Sequence, residues 1–259
     1  GHNGVIRKRA VVKGVSSHAG AHPHKGINAL NAANLILLAI NSLRETFQEK
    51  DYVRIHSIIT KGGDAVNAVP DEVVIESYVR GSSYNAIENA NKKVNRALCG
   101  AALSLGANVE IIDLPGYAPL YNDSNMIDVY YNSVKEIVPE YEVTKIDAFS
   151  SGSTDMGDLS CIMPVIHPYS GGAKGTSHGN DYYIADPEKA CVKSAQVQLV
   201  FLAMALRNGA EKAKSIIANY KPVYSSIAEY LECTSKLNLD IQAVTYGEDG
   251  KLTLQFEEV

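Results

Sequence analysis

The sequence lacks clustered positive charge. Its formal net charge is -5 over 259 residues, with no lysine- or arginine-rich run. This argues against a nucleic-acid or membrane-surface partner, since both need concentrated positive charge. It also lacks close cysteine pairs: Cys99, Cys161, Cys191 and Cys233 are scattered, with no C-x-x-C. That usage suits reduced thiols in a cytoplasmic protein better than a disulfide framework or a zinc ribbon. No signal-peptide or spanning pattern is read, because the most apolar run, "VQLVFLAMAL", falls well short of the roughly 20 residues that cross a bilayer. The phosphate fingerprints G-x-G-x-x-G and G-x-x-x-x-G-K-[ST] do not occur, and "SGSTDMG" does not supply the G-x-S-x-G elbow of a serine hydrolase. Small acids and peptides remain as ligands.

The hydrophobic pattern divides the chain into two blocks. "GVIRKRAVVKG" predicts a strand, and residues 27 to 46 have helical spacing with Leu30, Ala33, Leu37 and Ile40 on one face. "YVRIHSIIT" and "VVIESYVRG" alternate on either side of the turn signals Gly62, Gly63 and Pro70. A second amphipathic helix runs from about 85 to 105 through Ile87, Val94, Leu98 and Ala101, and "NVEIIDL" follows as a strand. The order is βαββαβ, a ferredoxin-like split βαβ arrangement with both helices on one face of an antiparallel sheet. Pro115, Gly116 and Pro119 mark a linker, so the expected domains are residues 1–115 and 116–259.

The second block predicts a helix over about 123–138, a short strand at "YEVTKI", the polar loop "SSGSTDMGDLS" and an apolar strand "CIMPVIHP". A glycine-rich loop "SGGAKGTSHGND", a helix from about 187 to 208, further helix over 210–235 and a terminal hairpin turned at Glu248-Asp249-Gly250 complete it. A strand leading into a polar loop and then a helix is an α/β pattern whose ligands sit outside the carboxyl ends of strands. Two or three candidate parallel strands are few for such a sheet, and the strands that should flank them are missing from the pattern.

Three stretches carry a resemblance: "KGVSSHAGAHPHKGINALNAA", "GGDAVNAVPDEVVIESYVRG" and "GSTDMGDLSCIMPVIHPYSGGAKGTSHGNDYY". In this order they resemble the di-metal amidohydrolases that include aminoacylase, carboxypeptidase G and p-aminobenzoyl-glutamate hydrolase. The wording S-T-D-x-G-D is most similar to the aminobenzoyl-glutamate hydrolase branch and its β-alanyl dipeptidase relatives. The resemblance covers roughly residues 4 to 208.

It implies a fold in which a dimerisation lid is followed by the C-terminal part of an α/β metallopeptidase catalytic domain, with lids pairing into a homodimer. It implies a metal-dependent hydrolase of N-acyl amino acids or small peptides, with zinc or manganese as the divalent ion and two ions in the complete enzyme. His18 of S-H-A-G would stabilise the oxyanion in the partner subunit's site, Asn67 and Arg80 would hold the substrate's carboxylate, and His178 would be the final metal ligand. The family's general base and other metal ligands precede the lid, so the chain is expected to be an incomplete catalytic unit. The alternative is a non-catalytic lid and dimerisation fragment.

The residue types fit that chemistry. A divalent metal lowers the pKa of its bound water and polarises a carbonyl, imidazole is a good ligand for zinc or manganese, and the arginine fork matches a planar carboxylate. Each residue also has a plainer reading. His18, with His22 and His24 near it, suits a solvated loop; Arg80 suits a surface charge and Asn67 a turn. Asp155 and Asp158 suit loop bracing better than direct ligation, and His167 suits packing. Gly171, Gly172 and Gly175 permit close backbone approach to a ligand, and Gly172 is assigned to substrate binding on that ground.

Overall fold

Ten mostly buried residues, Gly4–Lys13, form β1. The structure, a computed structural model, describes residues 1–146, 148–247 and 249–255. After β1 come α1 (Ala29–Ser42), β2 (Arg54–Lys61), β3 (Glu72–Gly81), α2 (Tyr84–Leu103) and β4 (Asn108–Pro115). The predicted βαββαβ order is therefore realised, with the strands laid side by side as β2-β3-β1-β4, all antiparallel. Side-chain acceptors start both helices: Asn28 Oδ1 accepts from the Asn31 amide at 2.9 Å and Ser83 Oγ from the Ala86 amide at 3.2 Å. Ala32, Ala33 and Ile36 of α1 meet Ala90, Val94 and Leu98 of α2 over Ala10, Val12, Val73 and Ile75 of the sheet. The alanines let the helices sit close to the strands, and burial of this apolar layer holds the unit together.

One row interrupts that apolar layer. Ser57, Ser77, Lys8 and Asp113 are successive cross-strand partners from β2 to β4. Ser77 Oγ donates to Ser57 Oγ at 2.7 Å. Lys8 Nζ donates to Asp113 Oδ1 and to Asn95 Oδ1, each at 2.5 Å, while Asn91 Nδ2 donates to Asp113 Oδ2 at 2.7 Å. The Lys8 and Asp113 side chains are each 1% exposed. Burial pulls the Lys8 ammonium below its ordinary pKa, with Asp113 opposing the shift, and pushes the Cys99 thiol up to about 11.

The chain forms two compact units whose division differs from the expected break at residue 115. One holds residues 1–120, 150–157 and 227–259; the other holds 121–149 and 158–226. The terminal hairpin, expected with the second block, instead extends the first sheet. β7, Leu239–Tyr246, pairs antiparallel with β4, and β8, Leu252–Leu254, pairs with β7. Its alternation is legible in sequence, but its partner is not. At the turn, Gly250 has φ 74, while Glu248 lies outside the described residues. A helix over Ile227–Ser235 belongs to the same unit.

In the second unit, α3 (Ser124–Ile137) packs on α5 (Ser194–Asn219), with the rings of Tyr130 and Phe201 edge to face at 5.7 Å. A short α4, Met156–Ser160, occupies the S-T-D-x-G-D stretch, and α6 is the helix at Ile227–Ser235. The strands predicted at "YEVTKI" and "CIMPVIHP" are not formed. Glu140–Glu142 is a 3-10 turn, and residues 161–168 are irregular. Strand-like composition without a neighbouring strand leaves the backbone no ladder to join. By length and composition Glu188–Asn219 is long and apolar enough to cross a membrane. However, Arg207, Asn208, Gly209 and Ala210 break its helical geometry.

Candidate functional site

The loop after β1 is stitched to the turn before β3. Gly14 N donates to Asp71 O at 2.7 Å, Val69 N to Ser17 O at 2.8 Å, and Ala19 N to Asn67 O at 2.9 Å, with His18 bridged to Ala68. These bonds bring His18 and Asn67 together as exposed neighbours at one end of the sheet. The loop also orients the imidazole, since His18 Nδ1 accepts from the amides of Gly20 (3.1 Å) and Ala21 (3.0 Å). With Nδ1 used as an acceptor, the ring proton of the neutral imidazole sits on Nε2, leaving an outward-facing N–H donor. His22 and His24 stack edge to face at 6.1 Å and stay exposed.

Arg80 lies elsewhere. Register pairs it with Val5, whereas Glu72 at the other end of β3 pairs with Lys13. The eight residue steps from Glu72 to Arg80 span roughly 26 Å at about 3.3 Å each. Within one copy, Arg80 and Asn67 therefore do not converge on a single small carboxylate, although both were expected there. The half-buried guanidinium of Arg80 lies 5.4 Å from the centre of the Tyr78 ring. Beneath it a cavity of about 220 Å³ is lined by Val5, Arg7, Tyr78, Arg80, Tyr117 and Ser153. Sequence reasoning missed Arg7 and Ser153. The alternation of β1 does put Arg7 on the face away from the helices, and that was the available signal.

In the second unit, His178 is exposed and has φ 63, a left-handed backbone. Its turn is closed by the Gly179 amide donating to Thr176 O at 2.7 Å and the Thr176 amide donating to Asp181 Oδ1 at 3.2 Å. The flanking residues Ala173–Lys174 and Tyr183–Ile184 form a two-stranded ribbon, β5 and β6. A non-glycine residue held at positive φ is a mark often found at functional loops. Gly172, at φ 106, has a packing reason of its own: a Cβ there would lie 2.7 Å from Asp186 O and 2.8 Å from Ala190 N. Its carbonyl accepts from the amides of Ala185 and Asp186. Asp155 Oδ1 accepts from Thr154 Oγ1 at 3.2 Å, and the half-buried His167 stacks against Tyr169 at 5.3 Å. Among the described residues, no three His, Cys, Asp or Glu side chains gather closely enough to hold a metal ion.

Comparison with known proteins agrees with the architecture. Residues 1–103 match the peptidase dimerisation domain of the M20 type. Over 197 residues the chain is 32% identical to a Xaa-Arg dipeptidase of Mus musculus, covering 74% of this chain and 44% of that protein. Over 99 residues it is 32% identical to one of the p-aminobenzoyl-glutamate hydrolase polypeptides of Escherichia coli, covering 38% of this chain and 20% of that one. The crystal structure of a tripeptidase from Staphylococcus aureus shares the fold at a TM-score of 0.56 and 20% identity, over 79% of this chain and 52% of that one. The chain thus spans less than half the length of the curated relatives it matches. Residues 1–103 thus match a peptidase dimerisation domain of the M20 type, and the chain is similar to peptidases and amidohydrolases.

Proposed function

We infer that this chain supplies the lid and part of the metal-bearing domain of a metal-dependent amidohydrolase, a homodimer that cleaves the amide bond of dipeptides or N-acyl amino acids with a free carboxylate. The observation that carries the reading is the separation of the His18–Asn67 end of the sheet from Arg80. If both ends serve one small substrate, they come from different copies, which is what a dimerisation domain makes possible. In this reading Arg80 holds the carboxylate through its fork. His18 donates its Nε2 proton to the oxygen that becomes negative as the amide carbon turns tetrahedral, and Asn67 supports that group from the adjoining turn. The scattered cysteines, with no C-x-x-C pair, support a cytoplasmic setting.

The residues described do not by themselves form the metal site. His178 is the ligand assigned to it, and zinc or manganese would need further ligands from outside the described residues. The roles of Arg80, His18 and Asn67 are binding and proton donation by the chain's own side chains. The incomplete ligand set favours a second reading, a lid and dimerisation piece that is not itself catalytic.

One experiment separates the two. Zinc and manganese binding and hydrolysis of N-acyl amino acids and dipeptides are measured on the 259-residue chain and on any longer natural polypeptide that includes it. Metal-dependent hydrolysis by the longer polypeptide, lost in Arg80→Gln, is the expected result. Inactivity of both with every substrate overturns the catalytic reading.

A further inference from the structure

Asparagine precedes glycine at two places in the sequence, Asn3-Gly4 and Asn208-Gly209. The pairing is chemically weak, because glycine has no β-carbon to keep its amide nitrogen away from the preceding side-chain carbonyl. The fold treats the two places differently. Asn3 is buried, at 0% exposure. Its Nδ2 donates to Tyr52 O at 2.8 Å and to Ser151 O at 3.4 Å, and Gly4 lies in β1, paired with Gly81. The side-chain amide and the nitrogen that would attack it are thus both held in place.

Asn208 sits in the break of α5. Arg207 is extended there (φ -61, ψ 160), and Asn208, Gly209 and Ala210 all take left-handed backbone, at φ 54, 71 and 63. Asparagine and glycine suit such a helix end, whereas alanine is strained in it. Asn208 and Gly209 are exposed, and a β-carbon at Gly209 would meet nothing within 4 Å. The break joins the part of α5 whose Phe201 packs on Tyr130 to the part that buries Ile216.

We propose that Asn208 is a self-modifying site, at which the neutral amide becomes a carboxylate with water and hydroxide as the only co-reactants. Hydroxide removes the Gly209 amide proton, and the nitrogen attacks Asn208 Cγ. A C–N bond forms, the Cγ–Nδ2 bond breaks, and ammonia leaves with a proton taken back from water. Water then opens the five-membered imide. Opening at Cγ gives aspartate; opening at the main-chain carbonyl gives isoaspartate, whose backbone runs through the former side chain. Nothing is oxidised or reduced, and one water is consumed for each ammonia released. Isoaspartate adds a methylene to the main chain at the joint of α5. Either product sets a negative charge at the C-terminal end of the first part of the helix, where the helix dipole disfavours it.

The test incubates the 259-residue chain at mildly alkaline pH, folded and in urea, and follows peptides spanning each dipeptide by mass spectrometry for the gain of about one mass unit that accompanies loss of an amide. In the folded chain Asn208 should convert about ten-fold or more faster than Asn3, the margin of an exposed break over a packed core. In urea the two should convert at similar rates, since the packing that separates them is gone. Gly209→Ala should slow conversion at Asn208, and Asn208→Gly should abolish it with the helix content unchanged by circular dichroism. Equal rates in the folded chain, or an Asn208 that keeps its amide when folded and loses it in urea, overturns the proposal. So does the same margin in urea, which would put the difference in the neighbouring sequence alone. The comparison within the unmodified chain decides the matter even if a variant fails to fold.

Discussion

His18 and Arg80 occupy opposite ends of one sheet, His18 bridged to Ala68 beyond the Lys13 end of β1 and Arg80 paired with Val5 at the other. On the proposed roles, the imidazole and the carboxylate-holding arginine of one site come from different copies. In the active enzyme, His18→Ala is expected to lower kcat by about 10² to 10³ with metal content unchanged, because the lost bond forms mainly in the transition state. Mixing this variant with His178→Ala should restore activity, since a mixed dimer has one site with both groups. Mass spectrometry of differently tagged subunits would verify exchange. Mixed dimers without activity would place His18 outside the partner's site.

Arg54 repels Arg80 across β2 and β3. Arg54→Gln is therefore expected to stabilise the chain by about 0.2–1 kcal/mol, read as a higher urea midpoint with an unchanged slope. A lower midpoint would mean that the aliphatic stem of Arg54 contributes more by packing than its charge costs.

Removing one member of the buried Lys8–Asp113 pair leaves the other without its counter-charge. Lys8→Met alone should cost about 3–5 kcal/mol, and Lys8→Met with Asp113→Leu should recover most of it. Denaturant titration of the single and double variants measures the coupling. If the two losses simply add, the pair is not coupled.

The pH dependence follows from the same lysine. Burial lowers its folded pKa below the ordinary lysine value of 10.5. Between the lowered value and 10.5 the unfolded chain binds more protons than the folded one, so this group makes stability rise with pH through that window. The rise should vanish in Lys8→Met. Cys99 bears on the opposite process, because its thiol is raised to about 11 by burial and resists ionising in the folded state.

Thiol reactivity should follow exposure. Cys191 is exposed, Cys233 is intermediate, and Cys99 and Cys161 are buried. With a disulfide reagent at neutral pH, Cys191 should react first and the two buried thiols only on unfolding. Rapid labelling of Cys99 in the native state would contradict its place in the core between α2 and the sheet.

Strand alternation, turn signals and helical spacing are local properties, and they were enough to locate β1 to β4, α1 and α2. The site was legible only in part. The stretch around His18 can be read as a motif, but the distance between Asn67 and Arg80 depends on register, and the cavity depends on Ser153 arriving from a loop 73 positions after Arg80. In "CIMPVIHP" the composition suggested a strand, yet a strand exists only with a partner, and that information is not local. Gly172 was marked for ligand approach, whereas its closest neighbours are the backbone of Asp186 and Ala190.

The polar row Ser57–Ser77–Lys8–Asp113 makes the sheet a ruler. A slip of one residue would turn the apolar side chains to the wrong face, but a slip of two would keep them inward and go unopposed in a layer of valines and isoleucines. Here it would set Lys8 against Ile111 or Pro115 and strand a buried ammonium. Such a slip would also carry the His18 loop about 7 Å along the sheet relative to Arg80. A buried charge pair within the strands thereby fixes the length between His18 and Arg80.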